Sequence, residues 1–393
     1  MSAPDRSTHD VIVIGAGPAG ASAAITARRH GLTVALIDKA RFPRDKLCGG
    51  GITGRCHGHL QQVFGALPDD LFLETRRLRL VDGARVISQM DDTPPLLMTM
   101  RTAFDAELLC RARAAGAQDF TGRRLASVDA DAAWITLADG EVLQGRVVIG
   151  ADGVNSGVAR ALFGRAYDPG RVGFAMEAEV PLPVQTAAAP VAELDMTGAN
   201  WGYGWAFPKQ GSVTLGIGGR AGRNPDMRAQ FERWLTARGV DPASVKIKGH
   251  HLPFGDPRPD PGRGCVILAG DAAGLVDPIT GEGIGWAVRS GELAADAAAA
   301  AIRSGAPGQA LTWYRPLLAP VLSEIASARF LARLVYHPLL QRRFLAMLER
   351  SPRMQRRMLS LLAGETDYGP ITLARVARLG WRMVTGADRQ AEG

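Results

Sequence analysis

The chain has 393 residues, 46% of them hydrophobic and 22% charged, with 47 glycines and 24 prolines, which suits a globular protein of two domains or one large domain with insertions. No run of eighteen uncharged apolar residues occurs, so a transmembrane helix is not expected. The formal net charge of +7 comes from arginines concentrated toward the C-terminus, and because no recognised motif accompanies it, nucleic acid is not an expected partner.

The polar opening "MSAPDRSTHD" runs directly into a strand, so no secretory signal is expected and a cytoplasmic location is. Cys48, Cys56, Cys110 and Cys265 fit no disulfide framework and are expected as free thiols. The "CHGH" at 56–59 matches no usual zinc spacing, so no metal site is assigned.

"DVIVIGAGPAGASAAITARRHGLTVALIDKA" reads as strand, tight turn, small-residue helix and second strand. In Gly15-x-Gly17-x-x-Gly20, Gly15 permits the turn, Gly17 lets a pyrophosphate approach the backbone, and Gly20 lets helix and strand pack closely. The helix N-terminus then offers N–H donors to the phosphates. Asp38, closing "VALID", stands at the spacing of an acid that grips ribose hydroxyls. An adenine dinucleotide follows, with NAD or FAD still open at this point.

Two later stretches favour FAD. "GRVVIGADGVNSGVAR" at 145–160 brings a strand to Asp152 and Gly153, and "GCVILAGDAAGLVDPITGEGIGWA" brings another to Gly270 and Asp271 before a long Gly/Ala-rich helix near Gly283. A flavin must be held well beyond its adenosine half. Asp271 suits the ribityl hydroxyls, and the N-terminus of the helix at "GEGIGWA" suits the flavin edge where negative charge appears on reduction. Glu282 at that terminus reads as a helix N-terminal acid.

These three elements resemble the glutathione-reductase-type FAD fold of p-hydroxybenzoate hydroxylase and its relatives, over most of residues 10–305. "MRTAFDAELLCRARAAGA" at 100–117 resembles that superfamily's R-x-x-FDxxL helix, which implies that Arg101 lies near the flavin. The superfamily's usual Arg after the DG motif is Ala159 here, so its role in handling NADPH does not carry over directly. "FPRDKLCGGGIT" at 42–53 resembles the cysteine-containing flavin loop of the geranylgeranyl reductase family. "YGWAFPKQGSVTLGIG" at 203–218 is similar to that family's Y-x-W-x-F-P…G-x-G pattern, on Tyr203, Trp205, Phe207, Pro208, Gly216 and Gly218.

The resemblance implies cofactor contacts from Gly15, Gly17, Ala19 and Gly20, from Asp38 and Lys39, and from Cys48, Gly49 and Arg101. It adds Asp152 and Gly153, Gly270 and Asp271, and Pro278, Gly281, Gly283 and Ile284. Tyr203, Trp205, Phe207 and Pro208 are the expected substrate contacts; the three aromatics alternate along a strand and so share a face. Cys48 reads as a structural thiol, as a lining of the flavin site, or as a catalytic redox or proton-transfer group. Lys46 near it would either lower the thiol's pKa or attract an anionic head group.

The expected architecture is α/β: a Rossmann-like FAD domain of residues 1–80, 100–165 and 260–305, a substrate-binding sheet domain of 81–99 and 166–259, and a helical C-terminal region of 306–393. Apolar residues at helical spacing with arginines between them make that last region a cap on the enzyme or a basic amphipathic face for peripheral membrane contact. The resemblance implies an FAD-dependent reductase saturating double bonds of a prenyl chain, with NADPH or a small redox protein as electron donor, because no second nucleotide-binding unit follows. The rival is an FAD monooxygenase acting on an aromatic or polycyclic compound; a flavin halogenase would need W-x-W-x-I-P, which "WGYGWAFP" matches only partly. A flavoprotein that modifies side chains of a partner protein is the remaining class.

Overall fold

The computed structural model describes residues 7–181 and 190–369; residues 1–6, 182–189 and 370–393, the last being the end of the expected helical region, lie outside the described residues. A six-stranded sheet runs in the order Gly262–Arg263, Val266–Leu268, Val147–Gly150, Val11–Ile14, Val34–Asp38 and Gln118–Thr121. Its pairings are parallel except at the short edge strand Gly262–Arg263. Val11–Ile14 and Val147–Gly150 are buried throughout, as continuous Val/Ile runs in a covered parallel sheet should be.

The helix Pro18–Arg29 crosses from Val11–Ile14 to Val34–Asp38, and the helix Ile284–Arg303 lies tightly against it. A methyl group on Gly291 would sit 2.1 Å from the Ala19 carbonyl oxygen, and Ser22 Oγ donates to the Val288 carbonyl at 2.6 Å. This close crossing is why both helices are built of Gly, Ala and Ser. A four-stranded sheet, Ser7–Thr8, Val142–Gln144, Trp134–Leu137 and Leu125–Asp129, adds Ile135, Leu137 and Leu143 to the same core.

A seven-stranded sheet runs Lys248–Leu252, Gly173–Pro181, Ser212–Arg220, Gly202–Lys209, Ala192–Asp195, Leu78–Asp82 and Arg85–Met90. Residues 78–80, assigned from sequence to the nucleotide unit, are thus part of this sheet. Leu96–Thr99, expected to join it, pairs instead with Gly51–Ile52 and Phe72–Thr75 in a small third sheet. One face of the seven-stranded sheet is covered by the helix Met227–Thr236 through Phe231 and Trp234 against Met176, Leu215 and Ile217.

The long helix Ala310–Val335 joins the two cores, its first half packing in the core of the parallel sheet and Ala328, Ala332 and Val335 in that of the seven-stranded sheet. Helices Pro338–Arg350 and Pro352–Leu362 follow, and their Phe344, Leu345, Leu348 and Leu359 pack with Leu78, Leu80 and Leu194. Among the described residues no helix is long and apolar enough to cross a membrane.

Candidate functional site

A cavity of about 680 Å³ runs from the first glycine turn to the C-terminal helices. At one end Val11–Ile14 delivers Gly15, whose φ of 103° only glycine adopts without strain. A methyl group there would lie 2.3 Å from the Ala151 carbonyl oxygen, and one on Gly20 would lie 1.7 Å from the Gly15 oxygen. Gly17 differs: the nearest atom to its missing methyl is the Arg44 guanidinium at 3.5 Å, so its backbone faces open space. Asp38 accepts the amides of Ala16 and Ala40, both at 2.8 Å, which rigidifies the turn while its carboxylate still lines the cavity.

Further along, Arg101 forms a bidentate pair with the fully buried Asp105, both contacts at 2.7 Å, and Arg44 joins the same carboxylate at 2.9 Å. Burial opposes the Arg101 charge, but Asp105 and the hydrogen-bonded Cys48 sulfur outweigh it and keep the guanidinium charged. Lys46 is pulled below the usual lysine range by burial, with Asp271 acting the other way and Arg101 reinforcing the drop. Cys48 is half-buried on a loop held from both sides. Its N–H donates to Glu177 Oε1 at 3.1 Å, and Lys209 Nζ donates to the Gly49 carbonyl at 2.6 Å. Burial pushes Glu177 up to about 7 and Lys209 down to about 8.

The roof is the face of the seven-stranded sheet opposite Trp234. Strand register sets His250, Ala175, Gly218 and Tyr203 in one row and Lys248, Glu177, Gly216 and Trp205 in the next. Gly216 is glycine because the Trp205 ring lies across it, 2.1 Å from where a methyl would be. His250 is driven down to about 3 by burial and by the nearby cations, first Lys46, and is therefore neutral. The far end is apolar, with Leu78, Leu96, Met98, Ala192 and Leu194 joined by Leu362 of the last helix.

Most residues singled out from sequence line this one cavity. They are Gly15, Gly17, Ala19, Asp38 and Lys39; Cys48, Gly49 and Arg101; Asp152, Gly153 and Asp271; Gly281, Gly283 and Ile284; and Tyr203, Trp205 and Phe207. Four do not. Gly20 packs on Gly15, Gly270 on Ala19 and Ala287, and Pro278 on Gly255, each shaping the backbone behind the cavity. Pro208 follows Phe207 on the strand, so alternation turns it to the other face.

Asp152 reaches the cavity but its carboxylate is engaged locally. It accepts Ser156 Oγ and the amides of Gly157 and Val158, capping the helix Gly157–Phe163, while burial raises its pKa. Sequence reasoning missed Arg44, Glu177, His250, Lys209 and the apolar end. Alternation along Gly173–Pro181 and Lys248–Leu252 would have exposed Glu177 and His250, had the pairing of those strands been known.

With this geometry in view, the comparisons with known proteins agree. The family model described as FAD dependent oxidoreductase matches residues 10–234. A geranylgeranyl diphosphate reductase of Rhodobacter capsulatus is 33% identical over 339 residues, covering 76% of this chain and 77% of that one. The chain belongs to the geranylgeranyl reductase family of FAD-dependent oxidoreductases. A menaquinone reductase of Mycolicibacterium smegmatis is 31% identical over 314 residues, covering 73% of this chain and 75% of that one. A crystal structure of a geranylgeranyl bacteriochlorophyll reductase-like protein from Thermoplasma acidophilum superposes with a TM-score of 0.73 at 22% identity, covering 95% of this chain and 96% of that one.

The residues of this family member fit FAD. Gly17 leaves its backbone open at the helix N-terminus, and Arg44 Nη1 beside it is a buried donor with no partner among the described residues, as an approaching pyrophosphate would require. At the other end, the helix Ile284–Arg303 starts at Gly283 with no side-chain cap, so its first amides face the cavity.

Proposed function

We propose that this oxidoreductase saturates carbon–carbon double bonds of a prenyl chain. The observation that carries the reading is the continuity of the cavity, in which the apolar end formed by Leu78, Leu96, Met98, Leu194 and Leu362 opens onto Tyr203, Trp205 and Phe207 beside the Cys48 loop. The same reading assigns the dinucleotide contacts to Gly15, Gly17, Asp38 and Arg44, and the flavin contacts to the Cys48 loop, Arg101, Asp271 and the Gly281–Ile284 turn. NADPH or a small redox protein would supply the electrons.

FAD, bound and reduced, supplies the hydride. The chain's residues do the rest. The apolar end excludes water and orients a linear, methyl-branched run of isoprene units. Trp205 offers a π face to positive charge developing at the more substituted carbon of an isolated double bond. Arg101, kept charged by Asp105, favours negative charge on its side of the cavity. His250 adds no positive charge from the sheet side, where burial also draws Glu177 toward its neutral form.

The test is mass spectrometry after dithionite reduction of the purified holoenzyme without oxygen, with geranylgeranyl diphosphate and a menaquinone added in parallel. A gain of two hydrogens per reduced bond with flavin reoxidation supports the reading and names the better head group. Reoxidation only by oxygen, with neither prenyl compound altered, would replace it with a monooxygenase.

A further inference from the structure

We propose that Tyr368 is a positioning residue for the flavin-side loop: acting through Asp277, it fastens the C-terminal helices to the segment 277–283. The inference rests on FAD binding alone and does not depend on the prenyl reading.

The segment is organised around Asp277, which is fully buried. Its Oδ1 accepts the amides of Ile279 at 2.7 Å and Thr280 at 3.0 Å. Its own amide donates to the Glu282 carbonyl, and its carbonyl accepts the Gly281 amide, both at 3.0 Å. Thr280, Gly281, Glu282 and Gly283 then face the cavity. Through its side chain and its main chain, one buried residue therefore holds Ile279, Thr280, Gly281 and Glu282 in place.

Three phenols from separate parts of the chain hold this segment, Tyr203 from the cavity side and Tyr336 and Tyr368 from behind it. Tyr368 donates to Asp277 Oδ1 at 2.9 Å, Tyr336 to the Ile279 carbonyl at 3.2 Å, and Tyr203 to the Thr280 carbonyl at 2.8 Å. Tyr336 and Tyr368 belong to the C-terminal region and are each only 2% exposed. Asp367, next to Tyr368, pairs with Arg55 at 2.7 Å, and Arg55 pairs with Glu282 at 2.6 Å. The Ala363 carbonyl accepts the Gly54 amide at 3.0 Å, two residues beyond Ile52 of the Cys48 loop. Residues 363–368 thus join the two loops that line the cavity from opposite ends of the sequence.

A tyrosine that served only the core would bury its hydroxyl against any acceptor. Tyr368 instead spends its single donor on a carboxylate whose other oxygen has no partner among the described residues. Losing that donor leaves Asp277 buried with less support, and the loop it organises must shift.

The experiment compares Tyr368→Phe holoenzyme, which lacks only the hydroxyl, with Tyr314→Phe. Tyr314 is also fully buried and donates to the Ser290 carbonyl at 3.3 Å, away from the cavity loop. Tyr368→Phe should weaken FAD binding roughly tenfold in a fluorescence titration and alter the visible flavin spectrum. Tyr314→Phe should leave both unchanged at a similar loss of melting temperature. In the Asp277→Asn background, Tyr368→Phe should add less than it does alone, because both act on one bond. Wild-type FAD affinity and spectrum in Tyr368→Phe, or strict additivity in the double variant, would overturn the proposal.

Discussion

Glu177 accepts the backbone N–H of Cys48 at 3.1 Å, a bond between residues 129 positions apart. It anchors the Cys48 loop to the strand Gly173–Pro181, next to one edge of the seven-stranded sheet. Its second oxygen is buried without a partner among the described residues, so burial favours the uncharged acid and the Cys48 amide offsets only part of that effect.

Burial of Glu177 gives stability a pH dependence, and the bond to Cys48 works against it. Glu177 rises from an ordinary 4.5 to about 7, so the fold favours its protonated form. That contribution is complete below about pH 4.5 and lost as pH rises through about 7, with a ceiling on the order of 3 kcal/mol. Glu177→Gln keeps an acceptor for Cys48 and cannot ionise. The difference in melting temperature between about pH 5.5 and pH 8.5 should shrink in this variant. An undiminished difference would assign the pH dependence elsewhere.

Asp105 carries two arginines at once, and removing it isolates both. Asp105→Ala should destabilise the protein by about 3–5 kcal/mol, the range for breaking a buried ion pair from one side. Arg101 would also lose the partner that holds it beside Cys48, so the flavin absorbance of whatever holoenzyme forms should change. Chemical denaturation and a visible spectrum read the two effects. A loss below about 1 kcal/mol would mean that solvent reaches the cluster and screens it.

What could be read from sequence was local. Gly15, Gly17 and Asp38 fall within one strand–helix–strand unit, whose spacing carries its own geometry, and Tyr203, Trp205 and Phe207 follow from alternation on one strand. Pro208 should have been excluded by that same alternation. Asp152 lines the cavity as expected, but that its carboxylate also holds the first amides of the helix Gly157–Phe163 could not be read from the motif. Arg44, Glu177, His250 and Leu362 reach the cavity or its loop only through pairings between distant segments, and no local pattern encodes those. The phenol contacts on the 277–283 loop were hidden for the same reason, since Tyr336 and Tyr368 lie just beyond helix ends in a region that read as a cap.

Gly216 tests the seat of the substrate. Alanine there would press a methyl into the Trp205 ring, 2.1 Å from Cζ2 and 2.3 Å from Cε2, costing about 1–3 kcal/mol and tilting the indole. Gly216 does not line the cavity, so FAD content should stay at the wild-type level while, on the proposed function, KM for a prenyl substrate rises. Unchanged steady-state kinetics would remove Trp205 from the substrate contacts.

Gly17 and Gly20 separate folding from cofactor binding within one turn of chain. Gly17 has an ordinary φ of −75°, and its nearest neighbour is a side-chain end at 3.5 Å, so Gly17→Ala should cost the apoprotein about 1 kcal/mol or less. The added methyl would stand where a pyrophosphate must approach the helix N-terminus, so FAD affinity should fall at least tenfold. Gly20→Ala meets the Gly15 carbonyl oxygen at 1.7 Å, backbone against backbone, and should lose the fold together with the cofactor. Melting curves of the two apoproteins, followed by FAD titration, distinguish the cases. If Gly17→Ala binds FAD as tightly as the parent, the pyrophosphate does not cross the helix at this turn, and Arg44 would have to hold it from the opposite side.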